Sequence, residues 1–333
     1  MRCRICENES NNVLHVARDV HLGVGGGYEY VECSNCGCVQ IREYPTDPQV
    51  LYPPEYYAHQ PFDIPPVRPL RNYFRTKWID YGLTGRGWVG RVLSRLKPVP
   101  PLYTMFGRCG IQKDSAVLDV GCGNGTFLFW LWKAGFTNLT GIDPYISDDV
   151  RVVPGLSLFR RSIEEAKGKY DVITLNHSFE HMRDPGLVLK MLFKLLEGEG
   201  LLVVGVPVVG HAWRTYGVCW VGLEPPRHFY LHTPRSLQTL CSNTGFRIAD
   251  VTYNSDGWQF AGSELNRRSI PERDLVEGKV KLSQVFTKKE IASFRRKAEQ
   301  LNKSQQGDQA VFFLRKSTTS PASEQNDDLG TCK

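Results

Sequence analysis

Short apolar runs alternate with helical periodicities through the second half of this chain, and each junction carries a glycine, a proline or a polar cap. Residues 117–120, 139–142, 170–175 and 201–207 read as buried strands, because Val, Leu and Ile dominate both of their faces. Between them, residues 126–134 carry a helical pattern that Gly135 stops. Asp184-Pro185 opens a second helix ending at Gly198, and Thr233-Pro234 opens a third ending near Gly245. Residues 246–253 and 309–314 follow as two more strands. Strands and helices in this alternation predict an α/β domain, a mostly parallel sheet with helices on both faces. Residues 254–308, with helical runs at 263–270 and 288–302, form an insertion between the last two strands.

Ahead of residue 103 the pattern changes. Residues 13–16 and 28–32 alternate like short strands around a glycine turn at 23–27. Residues 52–57 and 61–69 hold too many prolines for a regular element and read as an ordered wrap or linker. The domain plan is therefore a small unit at 1–50, a Pro-rich and basic helical linker at 51–102, the α/β domain at 103–316 and a polar, disordered tail at 317–333.

Composition narrows the setting. A chain of 333 residues with 41% hydrophobic content can bury a full core with room for an accessory unit. No run is long enough to span a membrane, and the start, Met1 to Cys6, has no apolar signal region, so a cytoplasmic protein is expected. Ten cysteines then read as reduced thiols. Four of them form the pairs Cys3-x-x-Cys6 and Cys33-x-x-Cys36, which can meet as a closed tetrahedral S₄ site for structural Zn²⁺, a zinc ribbon. Cys38 is a spare that could replace Cys36. The net charge of +6 permits nucleic acid without requiring it. In the linker nine Lys and Arg, from Arg68 to Arg108, face only Asp63 and Asp80, interleaved with Tyr73, Phe74, Trp78, Tyr81 and Trp88. Packing onto the α/β domain with a solvated basic face is the first reading, peripheral contact with an anionic membrane the second. Nucleic acid is disfavoured, since the ribbon lacks a basic and aromatic array of its own.

The most informative run is Leu118-Asp119-Val120-Gly121-Cys122-Gly123-Asn124-Gly125 at a strand-to-helix turn, followed one βα unit later by Asp143. Glycines there allow a tight turn and a close ligand approach, the helix start offers N–H donors, and a carboxylate ending the next strand can accept both ribose hydroxyls. The spacing is G-x-G-x-G with Asp119 two positions upstream, not the dinucleotide G-x-G-x-x-G. It resembles the first motif of class I S-adenosylmethionine-dependent methyltransferases, and the likeness extends through most of the chain. Residues 170–175 followed by Asn176-His177 are similar to the family's fourth strand, and Leu195 to Gly200 to the turn before its fifth. The resemblance implies a Rossmann-like sheet of seven strands. It also implies a cofactor site of Asp119, Gly121, Cys122, Gly123, Asn124, Gly125, Asp143, Asn176 and His177, with Ile163 and a polar group at Ser162 closing over the adenine.

Chemistry belongs at the carboxyl ends of the fourth and fifth strands. His177, Glu180 and His181 follow the fourth; His211, Trp213, Trp220, Arg227 and His228 follow the fifth. The i, i+3, i+4 spacing of the first trio puts it on one helical face. One histidine, oriented by Glu180, can deprotonate an acceptor, or the trio with His228 can bind a divalent metal that chelates a diol. The plainer alternative has His181 closing the floor of the cofactor pocket or hydrogen bonding the backbone. Around His228, the tryptophans suit a sugar face and Arg227 a phosphate or carboxylate; in an equal structural reading the prolines set the turn and the tryptophans pack under it. A zinc ribbon ahead of such a domain is similar to methyltransferases of bacterial saccharide pathways, and implies a small-molecule or lipid-linked saccharide acceptor. Deoxysugar C-methyltransferases carry a further carboxyl-terminal domain, so O-methylation of a sugar is preferred. C-methylation, RNA methylation and a non-catalytic cofactor scaffold stand as alternatives.

Overall fold

The computed structural model describes residues 1–21, 26–46, 51 and 68–317. The wrap expected at 52–57, all but the end of the run at 61–69, most of the glycine turn at 23–27 and the tail beyond Ser317 lie outside the described residues.

Eight strands build the main sheet. β4 (Val117–Val120), β5 (Leu139–Ile142), β7 (Leu156–Phe159), β8 (Tyr170–Asn176) and β9 (Leu196–Pro207) run parallel, while β12 (Gln309–Lys316) is antiparallel to both β9 and β11 (Phe246–Tyr253). The order is β11-β12-β9-β8-β4-β5-β7-β6, which adds one edge strand to the expected seven. β6 (Val150–Val153) folds back antiparallel on β7 through Pro154 and Gly155. The extra strand escapes a sequence reading because its residues are exposed or half-buried, with no apolar face to mark it. The second helix also stops earlier than expected. It ends at Leu195, and β9 starts at Leu196, ahead of Gly198.

Helices cover both faces. α1 (Pro69–Thr84), α2 (Trp88–Leu96) and α3 (Pro101–Arg108) precede the sheet, and α4 (Thr126–Lys133) follows β4. Ile79, Tyr103 and Phe106 join Phe129 and Phe136 in one core, where each fully buried phenylalanine contributes ~2–3 kcal/mol. The basic side of α1 and α2 is open. Leu70, Trp88, Val92 and Leu96 are exposed there, while Arg75 stacks on Trp130 at 4.6 Å. α5 (Pro185–Leu195) is opened by Asp184, whose side chain accepts from the Leu187 N–H at 2.9 Å. After β9 come α6 (His211–Tyr216) and α7 (Pro234–Thr244), the latter capped by Thr233 and closed by left-handed Gly245. No helix among the described residues is long and apolar enough to cross a membrane.

Antiparallel β12 fixes where residues 254–308 emerge. Because β12 opposes both of its neighbours, β11 is parallel to β9, and its end at Tyr253 shares an edge with the carboxyl ends of β4 and β8. The intervening helices α8 (Trp258–Arg267), α9 (Glu272–Val276), α10 (Leu282–Val285) and α11 (Lys288–Lys303) are thus delivered to the edge where ligands bind in open α/β sheets.

The amino-terminal strands β1 (Val13–Arg18), β2 (Gly27–Glu32) and β3 (Val39–Ile41) make an antiparallel sheet whose fourth strand, β10 (Tyr230–Leu231), comes from the α/β domain. Three contacts reinforce that splice. The Tyr30 hydroxyl donates to the His228 carbonyl at 3.0 Å, and the Thr233 hydroxyl donates to the Cys36 carbonyl at 2.6 Å. Arg227 forms a bidentate pair with Asp19 at 2.9 and 3.0 Å, both side chains essentially inaccessible to solvent. Removing one member of such a pair leaves a buried charge uncompensated. Asp19→Ala is therefore expected to lower stability to urea by about 3–5 kcal/mol, against at most ~1 kcal/mol for Glu29→Ala, which breaks the exposed pair with Arg42. Equal losses in the two variants would contradict the splice.

Candidate functional site

One cavity of about 750 Å³ runs along the carboxyl edge of the sheet. One end is built by the glycine turn and the strand beside it. Gly121 has a φ of 74°, and its N–H donates to the Ile142 carbonyl at 2.8 Å, which fastens the turn to β5. A Cβ at Gly121 would lie 2.5 Å from Ser178 Cβ, so only glycine lets the two carboxyl ends close this tightly. Asp143 accepts from the Gly123 N–H at 3.0 Å and from the Tyr145 N–H at 2.8 Å, which orients its carboxylate at the cavity wall. Ser162 and Ile163 continue the same wall. This cradle, one carboxylate and an apolar flank fit an adenosyl cofactor with its ribose on Asp143.

Not every expected cofactor residue reaches the cavity. Asp119 lies beneath it, accepting from the Thr174 hydroxyl at 2.6 Å; burial raises its carboxyl to about 7 despite that bond. Cys122 packs in the core, 2.7 Å from where a Cβ on Gly141 would be. Asn124 turns inward to accept from the Thr126 N–H and hydroxyl at 3.2 and 2.7 Å, and Gly125, with a φ of 79°, shapes the helix start against Leu158. Asn176 lines a separate cavity of about 280 Å³ with Phe127, Val203 and Val311. Asp119, Cys122, Asn124 and Gly125 shape or underlie the turn and Asn176 faces away from it, while Gly121, Gly123, Asp143, Ile163 and His177 face the large cavity.

The other end gathers the histidines. No helix follows β8: a single 3₁₀ turn, Phe179–His181, carries Glu180 and His181, and His177 precedes it in the left-handed region at φ 55°. That conformation is costly for a residue other than glycine and bends the chain so that the trio converges. Glu180 is fully buried, 3.5 Å from His177 Nδ1 and 3.9 Å from His228 Nε2. Burial alone would raise its carboxyl, but His177, His181 and His228 hold it down at about 2. Burial lowers the His228 imidazole, whereas in His177 the carboxylates of Glu180, Glu224 and Asp308 outweigh burial and raise it. His181 Nδ1–H donates to the Arg227 carbonyl and His228 Nδ1–H to the Gly222 carbonyl, both at 2.8 Å.

Three expectations for the loop after β9 are corrected. Arg227 is consumed by Asp19 and by Glu224, 2.8 Å from its Nε, so it offers no cation to an acceptor. Trp213 and Trp220 are buried, donating their indole N–H groups to Glu32 and Asp308 at 3.1 and 2.8 Å, so neither presents a sugar face. His211 does not line the cavity. Trp258, Gln259, Glu224 and Asp308 do, together with His21 and Glu272, which pair at 3.0 Å. His21 lies within the amino-terminal unit, between the two cysteine pairs, and Glu272 far beyond the glycine turn, and no spacing links them.

Away from the cavity, the sulfurs of Cys3, Cys6, Cys33 and Cys36 all lie within 4.8 Å of one another. The Cys36 N–H points at Cys33 Sγ and the Cys6 sulfur receives Asn35 Nδ2, both at 3.5 Å; such donors support thiolates. The hydrogen bond from the Cys36 thiol lowers Cys3 to about 5, whereas Cys36 is raised by the same bond and Cys6 by burial. Cys38 is not part of it; its sulfur faces the Val39 carbonyl at 3.8 Å. The donor set suits a tetrahedral divalent ion such as Zn²⁺.

A glycine-turn cradle over a parallel sheet with its seventh strand reversed defines a class I, S-adenosylmethionine-dependent methyltransferase. The chain belongs to the methyltransferase-domain family, whose family model matches residues 76–251. It is similar to human EEF1A lysine methyltransferase 2, 29% identical over 38% of this chain and 59% of that protein. It is also similar to the ubiquinone biosynthesis O-methyltransferase of Bartonella tribocorum, 27% identical over 43% of this chain and 66% of that one. The chain thus spans about three fifths of the length of the curated relatives it matches. Among solved structures, the cyclopropane synthase MmaA2 from Mycobacterium tuberculosis aligns over 74% of this chain and 94% of its own at 16% identity, with a TM-score of 0.42.

The cradle sets an expectation for binding. Gly121→Ala and Asp143→Ala should each weaken S-adenosylhomocysteine binding at least tenfold by calorimetry, one through a clash with Ser178 and one through the lost ribose acceptor. Asn176→Ala, on the other cavity, should leave affinity within about twofold; a large loss there would move the cofactor across the sheet.

Proposed function

We propose that this enzyme transfers the methyl group of S-adenosylmethionine to a hydroxyl oxygen of a saccharide, with His177 as the base. The observation that carries the reading is the cavity in which the cofactor cradle and His177, backed by buried Glu180 at 3.5 Å, share one space. A hydroxyl is a poor nucleophile until its proton is taken, and a positioned imidazole supplies that step. Glu180 faces Nδ1 of His177, so Nε2 receives the proton as the O–CH₃ bond forms and the S–CH₃ bond breaks, leaving a neutral thioether. The sulfonium charge is lost as the imidazolium forms, and Glu180 offsets the new charge. Trp258, Gln259, Gln309 and Asp308 support a saccharide as the acceptor class, combining one flat apolar face with several hydroxyl partners.

Methyl transfer from labelled S-adenosylmethionine across nucleotide sugars and lipid-linked saccharides tests the acceptor class. His177→Ala should lower kcat with the accepted sugar about 10²–10⁴-fold, with S-adenosylhomocysteine affinity within about twofold. In the wild type, kcat should rise with pH through a midpoint above the ordinary imidazole value, because the base must be neutral and its carboxylate neighbours raise it. A His177→Ala variant with kcat within threefold of wild type would remove the base assignment, and methylation of amines alone would remove the hydroxyl.

We infer further that the four-cysteine cluster holds structural Zn²⁺. Cys33→Ser should lose about one zinc equivalent by elemental analysis and unfold at lower temperature; zinc retained at wild-type level would exclude this ligand set.

A further inference from the structure

We propose that Glu180, His181 and His228 form a second metal site, for a divalent cation held by two imidazole nitrogens and one carboxylate oxygen at the acceptor end of the cavity. One ligand atom from each lies within 4.8 Å of the others, a spread that small side-chain rotations close to bonds of roughly 2.0–2.2 Å.

The tautomers point the same way. Each of the two imidazoles has its Nδ1–H committed to a backbone carbonyl, Arg227 for His181 and Gly222 for His228, both at 2.8 Å. Both Nε2 atoms therefore carry lone pairs. Fixing the far nitrogen on a carbonyl is how proteins orient histidines that ligate metals. The Arg227 carbonyl is itself held in place, since Arg227 is anchored by Asp19 and Glu224.

Charge is the second argument. The Nε2 of His228 faces Glu224 Oε2 at 3.4 Å and Glu180 Oε1 at 3.9 Å, which places two carboxylates around a lone pair. Glu180 is fully buried, with His177 Nδ1 at 3.5 Å on its Oε1 side. A divalent metal would offset this buried charge and engage Glu180, His181 and His228 together. Two imidazoles with a carboxylate suit Mn²⁺, Fe²⁺, Co²⁺ or Zn²⁺, unlike the thiolate cluster, which disfavours hard Mn²⁺. Three protein ligands leave positions open toward the cavity. That an acceptor oxygen takes one of them, and is acidified there, rests on the hydroxyl reading above; the binding of the ion does not.

The test is a Mn²⁺ titration of the full-length protein, with free ion followed by electron paramagnetic resonance and S-adenosylhomocysteine affinity measured on the same samples. About one bound equivalent is expected in the wild type, weakened at least tenfold in His181→Gln and in Glu180→Gln while cofactor affinity persists. If one variant loses cofactor affinity through misfolding, the other decides. No stoichiometric Mn²⁺ binding by the wild type, or full affinity retained in a folded variant, would overturn the site. Mn²⁺ binding lost in Glu180→Gln supports the site even where no saccharide is methylated, so its failure and that of the acceptor assignment are separable.

Discussion

The buried pairing of Arg227 with Asp19 and Glu224 is the contact on which the rest of this molecule turns. A guanidinium with no access to water is tolerable only when its donors are met, and here they are met from two parts of the chain far apart in sequence. Asp19 comes from the end of the first amino-terminal strand and Glu224 from the loop that also carries His228. Once the ion cluster closes, the Arg227 carbonyl is fixed, and with it the ring of His181. The orientation of a group in the cavity is thus set by an electrostatic constraint outside it. The cysteine cluster is tied to the chain just beyond β10, because the Thr233 hydroxyl donates to the Cys36 carbonyl.

Against that rigid end, the cofactor cradle is assembled from backbone. Gly121 and Gly123 owe their positions to hydrogen bonds with β5 and Asp143 rather than to side chains of their own. Packing beneath is dense. Cys122 and Leu158 fill the space below Gly141, so the turn rests on a core that admits no added methyl group. The two ends of the cavity therefore differ physically, one shaped by glycine conformations and one by fixed ionisable side chains.

Much of this was legible in the sequence because it is local. The strand-turn-helix around Gly121, Asp143 one unit later, Thr233-Pro234 with Gly245, and the double cysteine pair all lie within short windows whose spacing reflects their geometry. Where the sequence left two readings, the deciding contacts were long-range. Arg227 and the indoles of Trp213 and Trp220 admit acceptor binding or packing, and packing holds because their partners Asp19, Glu32 and Asp308 are distant in the chain. The helical spacing of His177, Glu180 and His181 was real, but a left-handed residue and one 3₁₀ turn bring them together instead of a helix. Asn176 shows the limit of strand reading: its neighbour His177 faces the large cavity, while Asn176 itself faces the other.

The strand exchange between β3 and β10 has a consequence for how the chain assembles. Cysteines 3 to 36 leave the ribosome before Tyr230 and Leu231, so their cluster can close early, but β3 lacks its β10 neighbour until those two residues are made. Until then β3 presents unpaired backbone groups, and Asp19 has no counter-ion at Arg227. Contacts of such long sequence separation form late in folding. The histidine end of the cavity is consequently completed only after both the amino-terminal unit and most of the α/β domain exist, so a chain halted midway would carry the methyl-donor cradle with no organised place for the acceptor.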